Sequence, residues 1–236
     1  MSKDSKLTAA DYTIASQQKC EAGDYQGALI DLNNAIALKN NSVELYINRG
    51  LLKEHKLNDY NGALDDYNLA AQIDPTAAVV YNNRGLLKEN KLDDYSGALD
   101  DYSNAIGLNP HTVTGYNNRG LLKENKLHDY NGALDDYSKA IELNPLTAKA
   151  YSDRGLLKYD KFQDIPGALA DYNRGIQLDP LYAETYILRA TLQYDRLNDL
   201  ASAIIDLERA VKLYQQQDNT EMYELTTTLL KQWQKN

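Results

Sequence analysis

The sequence holds a single cysteine, Cys20, among its 236 residues. One cysteine allows no disulfide bond within the chain, and it cannot form a site in which several thiolates hold a metal ion. We interpret Cys20 as a small side chain packed on an apolar helix face, because free cysteines are mostly buried and inert. The sequence therefore predicts neither a disulfide scaffold nor a thiolate metal centre.

Long apolar runs and an excess of positive charge are missing as well. No window approaches the roughly 20 apolar residues of a membrane-spanning helix, and the N-terminus lacks the apolar stretch of a signal peptide. The formal net charge is −9 at pH 7, whereas proteins that bind a phosphate backbone usually carry a basic face. We therefore expect a cytoplasmic protein, unless a signal was removed, with no membrane span and no nucleic-acid partner.

The main signal in the sequence is an internal repeat. Tyrosines recur every 35 residues at Tyr46, Tyr81, Tyr116, Tyr151 and Tyr186, and Tyr12 precedes the first of them by 34. The segments 81–110 and 116–145 are nearly identical. Six copies can be delimited between a tail of residues 1–8 and a terminal segment of residues 218–236: 9–42, 43–77, 78–112, 113–147, 148–182 and 183–217.

Each copy predicts two helices and no strand. In the third copy, the pattern predicts a first helix over residues 78–91 and a second helix over residues 95–108. A carboxylate before the second helix can accept hydrogen bonds from the first backbone N–H groups of that helix. It recurs in every copy, as Asp24, Asp59, Asp94, Asp129, Asp164 and Asp199. With a capping helix over residues 218–236, we expect an all-α chain of about 13 helices.

Glycine recurs in the middle of the first helix, where it costs up to about 1 kcal/mol relative to alanine. We therefore expect another helix to pack closely against Gly50, Gly85, Gly120 and Gly155. The expected opposing surface consists of four alanines of the second helix, with tyrosines that fill the space beside them. These are Ala63, Ala98, Ala133 and Ala168, and Tyr67, Tyr102, Tyr137 and Tyr172.

This order of small and aromatic residues resembles the tetratricopeptide repeat. In the third copy it consists of Gly85, Asp94, Tyr95, Ala98, Tyr102, Ala105 and Pro110. The resemblance covers residues 9–217, and the recurring Asn-Arg-Gly and Gly-Ala-Leu-Asp-Asp-Tyr segments are similar to a bacterial subgroup. It implies a right-handed superhelical solenoid whose first helices line a concave groove. The sequence departs from the family in its period of 35 residues instead of 34, since later copies carry one extra residue between the helices.

A period of 35 leaves one remote alternative open, a pentatricopeptide-like protein that binds single-stranded RNA. The acidic charge and the single inserted residue argue against this alternative. Motifs for catalysis are lacking too, since we find no phosphate loop, no Ser-His-Asp set and no metal-ligand spacing. We therefore predict a protein that is not an enzyme and has no cofactor and no metal.

An arginine recurs in the first helix of five copies, and an aspartate recurs in the second helix of all six. Because the first copy has Ala15 in place of the arginine, we expect each aspartate to pair with the arginine of the next copy. The predicted structural ion pairs between repeats are Asp31–Arg49, Asp66–Arg84, Asp101–Arg119, Asp136–Arg154 and Asp171–Arg189. The alternative is that these arginines point into the groove and bind acidic ligands.

Residues three and four apart share one face of the first helix. By resemblance, asparagines on this face match those with which related scaffolds hold a peptide backbone, since an amide both donates and accepts hydrogen bonds. The neighbouring leucines would bind apolar side chains. The predicted peptide-binding groove consists of Asn48, Leu51, Asn83, Leu86, Asn90, Asn118, Leu121 and Asn125. Alternatively, the asparagines are plain surface and the leucines are core, because the pair Leu51-Leu52 leaves open which side chain faces inward.

The sequence thus favours a scaffold that binds an extended peptide or a partner helix in its groove. The main rival is a structural role, in which the chain associates with copies of itself or bridges the subunits of a larger complex. The near identity of the third and fourth copies makes a homo-oligomer plausible.

Overall fold

The computed structural model describes residues 7–235. Six residues of the predicted tail (1–8) and the last residue of the predicted capping segment (218–236) therefore lie outside the described part. Residues 7–235 form thirteen α-helices and no strand, which confirms the all-α fold class. The helices are α1 (Ala9–Glu21), α2 (Tyr25–Leu38), α3 (Val43–Leu52), α4 (Tyr60–Ile73), α5 (Ala78–Lys91), α6 (Tyr95–Leu108), α7 (Val113–Leu122), α8 (Tyr130–Leu143), α9 (Ala148–Leu157), α10 (Ile165–Leu178), α11 (Ala183–Leu197), α12 (Leu200–Gln216) and α13 (Thr220–Trp233).

The chain divides into two compact units, Met1–Gly115 and Tyr116–Asn236. We call them the N-terminal unit and the C-terminal unit. Two helices fall within each of the six segments predicted as copies, and α13 falls within residues 218–236. In the third segment, α5 and α6 have the bounds that the sequence predicted.

Each second helix begins at the aspartate that the sequence predicted as its cap. The carboxylate of Asp94 accepts a hydrogen bond of 3.0 Å from the backbone N–H of Gly97. Asp24, Asp59, Asp129, Asp164 and Asp199 accept equivalent bonds of 2.9–3.0 Å at the starts of the other second helices. These bonds satisfy backbone donors that the helix itself leaves unpaired.

The extra residue of the longer copies is absorbed where the first helix ends. Three first helices continue into a π-helical turn, named π1 (Lys53–Leu57), π2 (Lys123–Leu127) and π3 (Lys158–Phe162). The residue that follows each turn is left-handed, with φ of 55° at Asn58 and His128 and 52° at Gln163. In the first copy, Gly23 has the positive φ instead. His128 therefore occupies a turn position that several residue types can adopt, which fits its variation among copies.

The mid-helix glycines lie against tyrosine rings. A Cβ atom on Gly85 would lie only 2.8 Å from Cε1 of Tyr102. The corresponding distances are 2.8 Å for Gly50 and Tyr67, 2.8 Å for Gly120 and Tyr137, and 2.7 Å for Gly155 and Tyr172. The sequence predicted the close approach correctly, but the nearest atoms belong to the ring and not to an alanine, because the four alanines pack beside the ring, fully buried.

Helix α13 covers the last helix pair of the C-terminal unit. Trp233 is buried and its ring stacks on that of Tyr194, with 4.3 Å between the ring centroids and 7° between the planes. Ala190, Ala203 and Leu207 complete this cluster. The helix therefore keeps the apolar surface of α11 and α12 away from water, as a terminal cap of stacked helices does.

Candidate functional site

The arginine of each first helix binds the aspartate of the second helix in the same segment. Nε of Arg84 donates to Asp101 at 2.9 Å, and Nη2 donates at 2.5 Å. The same two-pronged bond joins Arg49–Asp66, Arg119–Asp136, Arg154–Asp171 and Arg189–Asp206. The predicted pairing between copies, Asp31–Arg49, Asp66–Arg84, Asp101–Arg119, Asp136–Arg154 and Asp171–Arg189, is therefore wrong.

The reason lies in the packing of the two helices of one segment. Arg84 precedes Gly85, and Asp101 precedes Tyr102, so the contact between Gly85 and Tyr102 brings the two charges together. Counting five arginines and six aspartates cannot distinguish pairing within a copy from pairing between copies. The aspartate left without an arginine is Asp31, and Nζ of Lys19 lies 2.7 Å from its carboxylate.

A lysine one turn after four of the five arginines, not singled out by the sequence analysis, is a second partner of the aspartate. Nζ of Lys88 lies 2.8 Å from Oδ2 of Asp101, the oxygen to which Nε of Arg84 also donates. Lys53, Lys123 and Lys158 repeat this contact at 2.8 Å. The recurrence of lysine four residues after the arginine was the sequence signal for it.

The same arginines do reach the preceding segment, but through a neutral partner. Nη1 of Arg84 donates to Oδ1 of Asn68 at 2.9 Å. Arg49 bonds Asn33, Arg154 bonds Ser138 and Arg189 bonds Asn173 in the same way, at 2.8, 3.2 and 2.6 Å. Hydrogen bonding to Asp101 raises the pKa of Arg84. All three nitrogens of these four arginines are thus engaged within the protein, which favours their structural role over the binding of acidic ligands.

Buried tyrosine hydroxyls form a further series that the sequence analysis missed. Tyr102 donates to Glu89 at 2.7 Å and Tyr137 donates to Glu124 at 2.7 Å. Tyr67 donates to Glu54 at 3.0 Å. Burial, and after it the neighbouring glutamate, raises the pKa of each of the three tyrosines, and burial raises the pKa of Glu124. The recurrence of Glu54, Glu89 and Glu124 every 35 residues was a signal for this set.

The series changes at both ends of the chain. In the first segment, Cys20 and Leu32 take the places of the glutamate and the tyrosine. In the fifth segment Tyr159 replaces the glutamate, and its hydroxyl donates to Asp195 at 3.0 Å. The fully buried hydroxyl of Tyr172 is left without a hydrogen-bond partner in the described part of the chain.

The structure decides which leucine of each pair faces the core. The second leucine is buried in all five copies that have it, namely Leu52, Leu87, Leu122, Leu157 and Leu192. The first leucine is half-buried at Leu51, Leu86 and Leu121, and Leu156 is exposed. The predicted groove leucines are therefore partly accessible to a ligand. The leucine that follows each of them in the sequence belongs to the core instead.

Two neighbouring clefts of the N-terminal unit bring predicted groove residues together. The first cleft, of about 350 Å³, lies between α1 and α3 and is lined in part by Asn48 and Leu51. The second cleft, of about 530 Å³, lies between α3 and α5, where Leu51 is joined by Asn83, Leu86 and Asn90. In the C-terminal unit, Asn118 and Leu121 are half-buried on α7, and Asn125 is exposed on π2.

The chemistry available in these clefts is that of amides and apolar side chains. Within residues 7–235, no group of three His, Cys, Asp or Glu side chains is arranged to hold a metal ion. None of the helices in the same range combines the length and the hydropathy that crossing a lipid bilayer requires.

Four helix pairs close on a glycine–tyrosine contact, and the arginines of four pairs reach the preceding pair. Recurring pairs of this kind define a helical repeat protein. The model of the tetratricopeptide repeat matches residues 43–76. None of the curated protein sequences matches the chain.

Solved structures with the same fold are tetratricopeptide-repeat proteins. MamA from Desulfovibrio magneticus RS-1 is 20% identical with a TM-score of 0.63, over 74% of this chain and 96% of that one. YrrB, described as a tetratricopeptide-repeat protein with an unusual peptide-binding site, is 21% identical with a TM-score of 0.62, over 84% and 97%. A protein from Parabacteroides merdae ATCC 43184 is 22% identical with a TM-score of 0.65, over 95% and 86%.

One segment of the chain thus matches the tetratricopeptide repeat, and the chain shares the fold of tetratricopeptide-repeat proteins. The fold is consistent with a scaffold for protein–protein interaction, since repeats of this kind bind proteins or peptides. None of these comparisons indicates an enzyme family.

Proposed function

We propose that the protein is a non-enzymatic scaffold that binds an extended peptide or a partner helix on the first helices of its repeats. One observation carries the proposal: Asn83, Leu86 and Asn90 line a cleft of about 530 Å³ while the neighbouring Leu87 is fully buried. The accessible face thus offers amides for a peptide backbone beside an apolar surface for side chains. Asn48 and Leu51 extend this face in the N-terminal unit, and Asn118, Leu121 and Asn125 are the proposed equivalents in the C-terminal unit.

Two further facts support this proposal. The amides of Asn48 and Asn83 form no hydrogen bond with the described residues, so their donors and acceptors are available to a ligand. YrrB, which has the same fold, is described as having a peptide-binding site. The division into six repeats, a tail and a cap, the cytoplasmic location and the bacterial origin are parts of the same proposal.

Peptides selected from a random displayed library on the wild-type chain test this function. Replacing Asn83→Ala and Asn90→Ala together should weaken the binding of a selected peptide about tenfold, since each lost hydrogen bond contributes about 0.5–1.5 kcal/mol. Helicity should not change. The matched control is Asn61→Ala with Asn104→Ala, because both asparagines are exposed on second helices.

Equal affinity of the two double variants would contradict the groove, and so would a library from which no peptide is selected. Size-exclusion chromatography with light scattering distinguishes peptide binding from the rival function, which is self-association. A mass that rises with concentration in the wild type, and not in the Asn83→Ala, Asn90→Ala variant, would favour self-association on this face.

A further inference from the structure

The interior of the first cleft reaches two positions that do not line the second cleft, those of the glycine and the tyrosine that pack together in the following repeats. In the second segment, the ring of Tyr67 lies on Gly50 and its hydroxyl bonds Glu54. The third and fourth segments repeat this arrangement of glycine, tyrosine and glutamate. In the first segment the three positions hold Ser16, Leu32 and Cys20. The first repeat therefore has neither the ring nor the carboxylate.

These three residues lie in the lining of the first cleft. Ser16 and Leu32 are buried, together with Leu52 of α3, and Cys20 is half-buried. The exposed side chains of Gln17 and His55 also line the cleft, and they mark the side that is open to solvent. The cleft thus has an apolar interior and a polar rim, which is the usual composition of a ligand pocket.

The volume of the first cleft is sufficient for an aromatic ring. It measures about 350 Å³, whereas an apolar cavity of about 150 Å³ is already large enough to bind benzene. A tyrosine-sized ring therefore fits the space. Asn48 lines the same cleft, and its amide forms no hydrogen bond with the described residues.

We propose that the first cleft is a pocket for one aromatic side chain of a bound peptide, which packs beside Ser16 and Leu32, the residues that replace the glycine and the tyrosine of the following repeats. This inference rests on the proposed function and adds the chemistry of the partner. A ring carries a large apolar surface with little conformational entropy to lose, so aromatic residues are frequent anchors at binding interfaces. Asn48 is placed to bond the backbone of the residue that carries the ring.

Burial raises the pKa of Cys20, which favours the uncharged thiol in the lining of the cleft. Cys20 is also the only cysteine of the chain, and its alkylation therefore reports on this cleft alone.

The first experiment uses p-cresol, the side-chain analogue of tyrosine, and the wild-type protein. We expect saturable binding in amide NMR spectra, with shifts centred on Ser16, Cys20 and Asn48. Saturation should slow the alkylation of Cys20 by N-ethylmaleimide at least fivefold, and isobutanol at the same concentration should not. Absence of protection by p-cresol would overturn the pocket, and equal protection by isobutanol would overturn its preference for an aromatic group.

The second experiment fills the cleft from within. Ser16→Gly, Cys20→Glu and Leu32→Tyr together recreate the set found in the second to fourth segments, so p-cresol binding should disappear without a lower unfolding temperature. The milder variant Ser16→Gly with Leu32→Phe keeps Cys20, and should weaken p-cresol binding at least tenfold and slow alkylation without any probe. A folded variant of either kind that binds p-cresol as the wild type does would overturn the inference.

The two proposals fail in different ways. If Asn83→Ala with Asn90→Ala weakens a selected peptide but p-cresol does not bind, the groove stands and the aromatic pocket is wrong. If p-cresol binds in the first cleft but that variant has unchanged affinity for peptide, the pocket stands and the second cleft is not a peptide site.

Discussion

The buried hydroxyl of Tyr137 donates a hydrogen bond of 2.7 Å to Oε2 of Glu124. Thirty-five residues later the same ring position holds Tyr172, whose hydroxyl has no partner among the described residues. The glutamate at that level is replaced by Tyr159, which bonds Asp195 instead. Two rings in equivalent packing thus differ in whether their polar atom is satisfied.

We therefore expect the same substitution to have opposite effects at the two positions. Tyr137→Phe removes the partner of a half-buried carboxylate and should lower the free energy of unfolding by about 1–3 kcal/mol. Tyr172→Phe removes an unsatisfied hydroxyl and should leave the stability unchanged or raise it by up to about 1 kcal/mol. Urea unfolding of both variants, followed by circular dichroism, measures the difference. A larger loss for Tyr172→Phe than for Tyr137→Phe would mean that the hydroxyl of Tyr172 has a partner in solution.

Glu124 should make the stability of the protein depend on pH. Burial raises its pKa, as do Asp153 and Asp160, while the hydrogen bond from Tyr137 and the charge of Lys161 lower it. Between the unfolded pKa of a glutamate, about 4.3, and the raised folded pKa, the native state binds more protons than the unfolded state. Stability therefore falls as pH rises through this window, and the contribution of Glu124 is most favourable below it.

Glu124→Gln should remove this dependence, because an amide does not titrate in that range. Unfolding free energies of wild type and variant, measured at intervals from pH 4 upward, should diverge in favour of the variant as pH rises. The exposed Glu208→Gln supplies the control for loss of one negative charge. If both variants show the same pH profile, Glu124 is not the source.

Most of the fold could be predicted from the sequence because the residues that determine local structure recur from repeat to repeat. The recurring aspartate before each second helix fixes where that helix begins, and it does so through a bond within three residues of sequence. The mid-helix glycines predicted a close approach, which the tyrosine rings make. Local rules of this kind need no knowledge of which repeats are neighbours.

The candidate site was less predictable, because its details depend on contacts distant in sequence. The Arg84–Asp101 bond spans 17 residues, and the predicted Asp66–Arg84 pair spans 18, so spacing alone does not separate them. The first cleft is lined by Ser16, Cys20 and Leu32, whose shared location appears only after folding. Likewise, Leu51 and Leu52 are adjacent and chemically identical, and only packing distinguishes them.

The glycine–tyrosine contact gives a matched pair of glycine substitutions in the third segment. Gly85→Ala would place a Cβ atom 2.8 Å from the ring of Tyr102, whereas a Cβ atom on Gly107 of α6 would meet nothing within 4 Å. We expect Gly85→Ala to destabilise the protein by about 1–2 kcal/mol, since overpacking a core costs about 1–3 kcal/mol and the gain in helix propensity is at most about 1. Gly107→Ala should instead stabilise it by up to about 1 kcal/mol.

Thermal unfolding of the two alanine variants beside the wild type tests this pair. A rise in melting temperature for Gly85→Ala would show that the tyrosine ring moves aside without cost, which would contradict the role given to the glycine.

The arginine network can be resolved by two double-mutant cycles that share Arg84. In the first cycle, Arg84→Met and Asp101→Asn are combined, and we expect a coupling energy of about 2 kcal/mol, because the two-pronged bond is charge-assisted and Asp101 is buried. In the second cycle, Arg84→Met is combined with Asp66→Asn. Because Asp66 is held by Arg49 and Lys53, this coupling should stay below about 0.5 kcal/mol, within the usual error of additivity.

The variant Asn68→Ala completes this experiment, since Nη1 of Arg84 reaches the preceding segment through this side chain. Its coupling to Arg84→Met should be about 1 kcal/mol, the contribution of one hydrogen bond to a charged group on a partly exposed site. Unfolding free energies from urea titrations give all three values. Equal coupling energies of Arg84→Met with Asp66→Asn and with Asp101→Asn would contradict the pairing within each segment. Arg84 would then form an ion pair with the preceding repeat in solution.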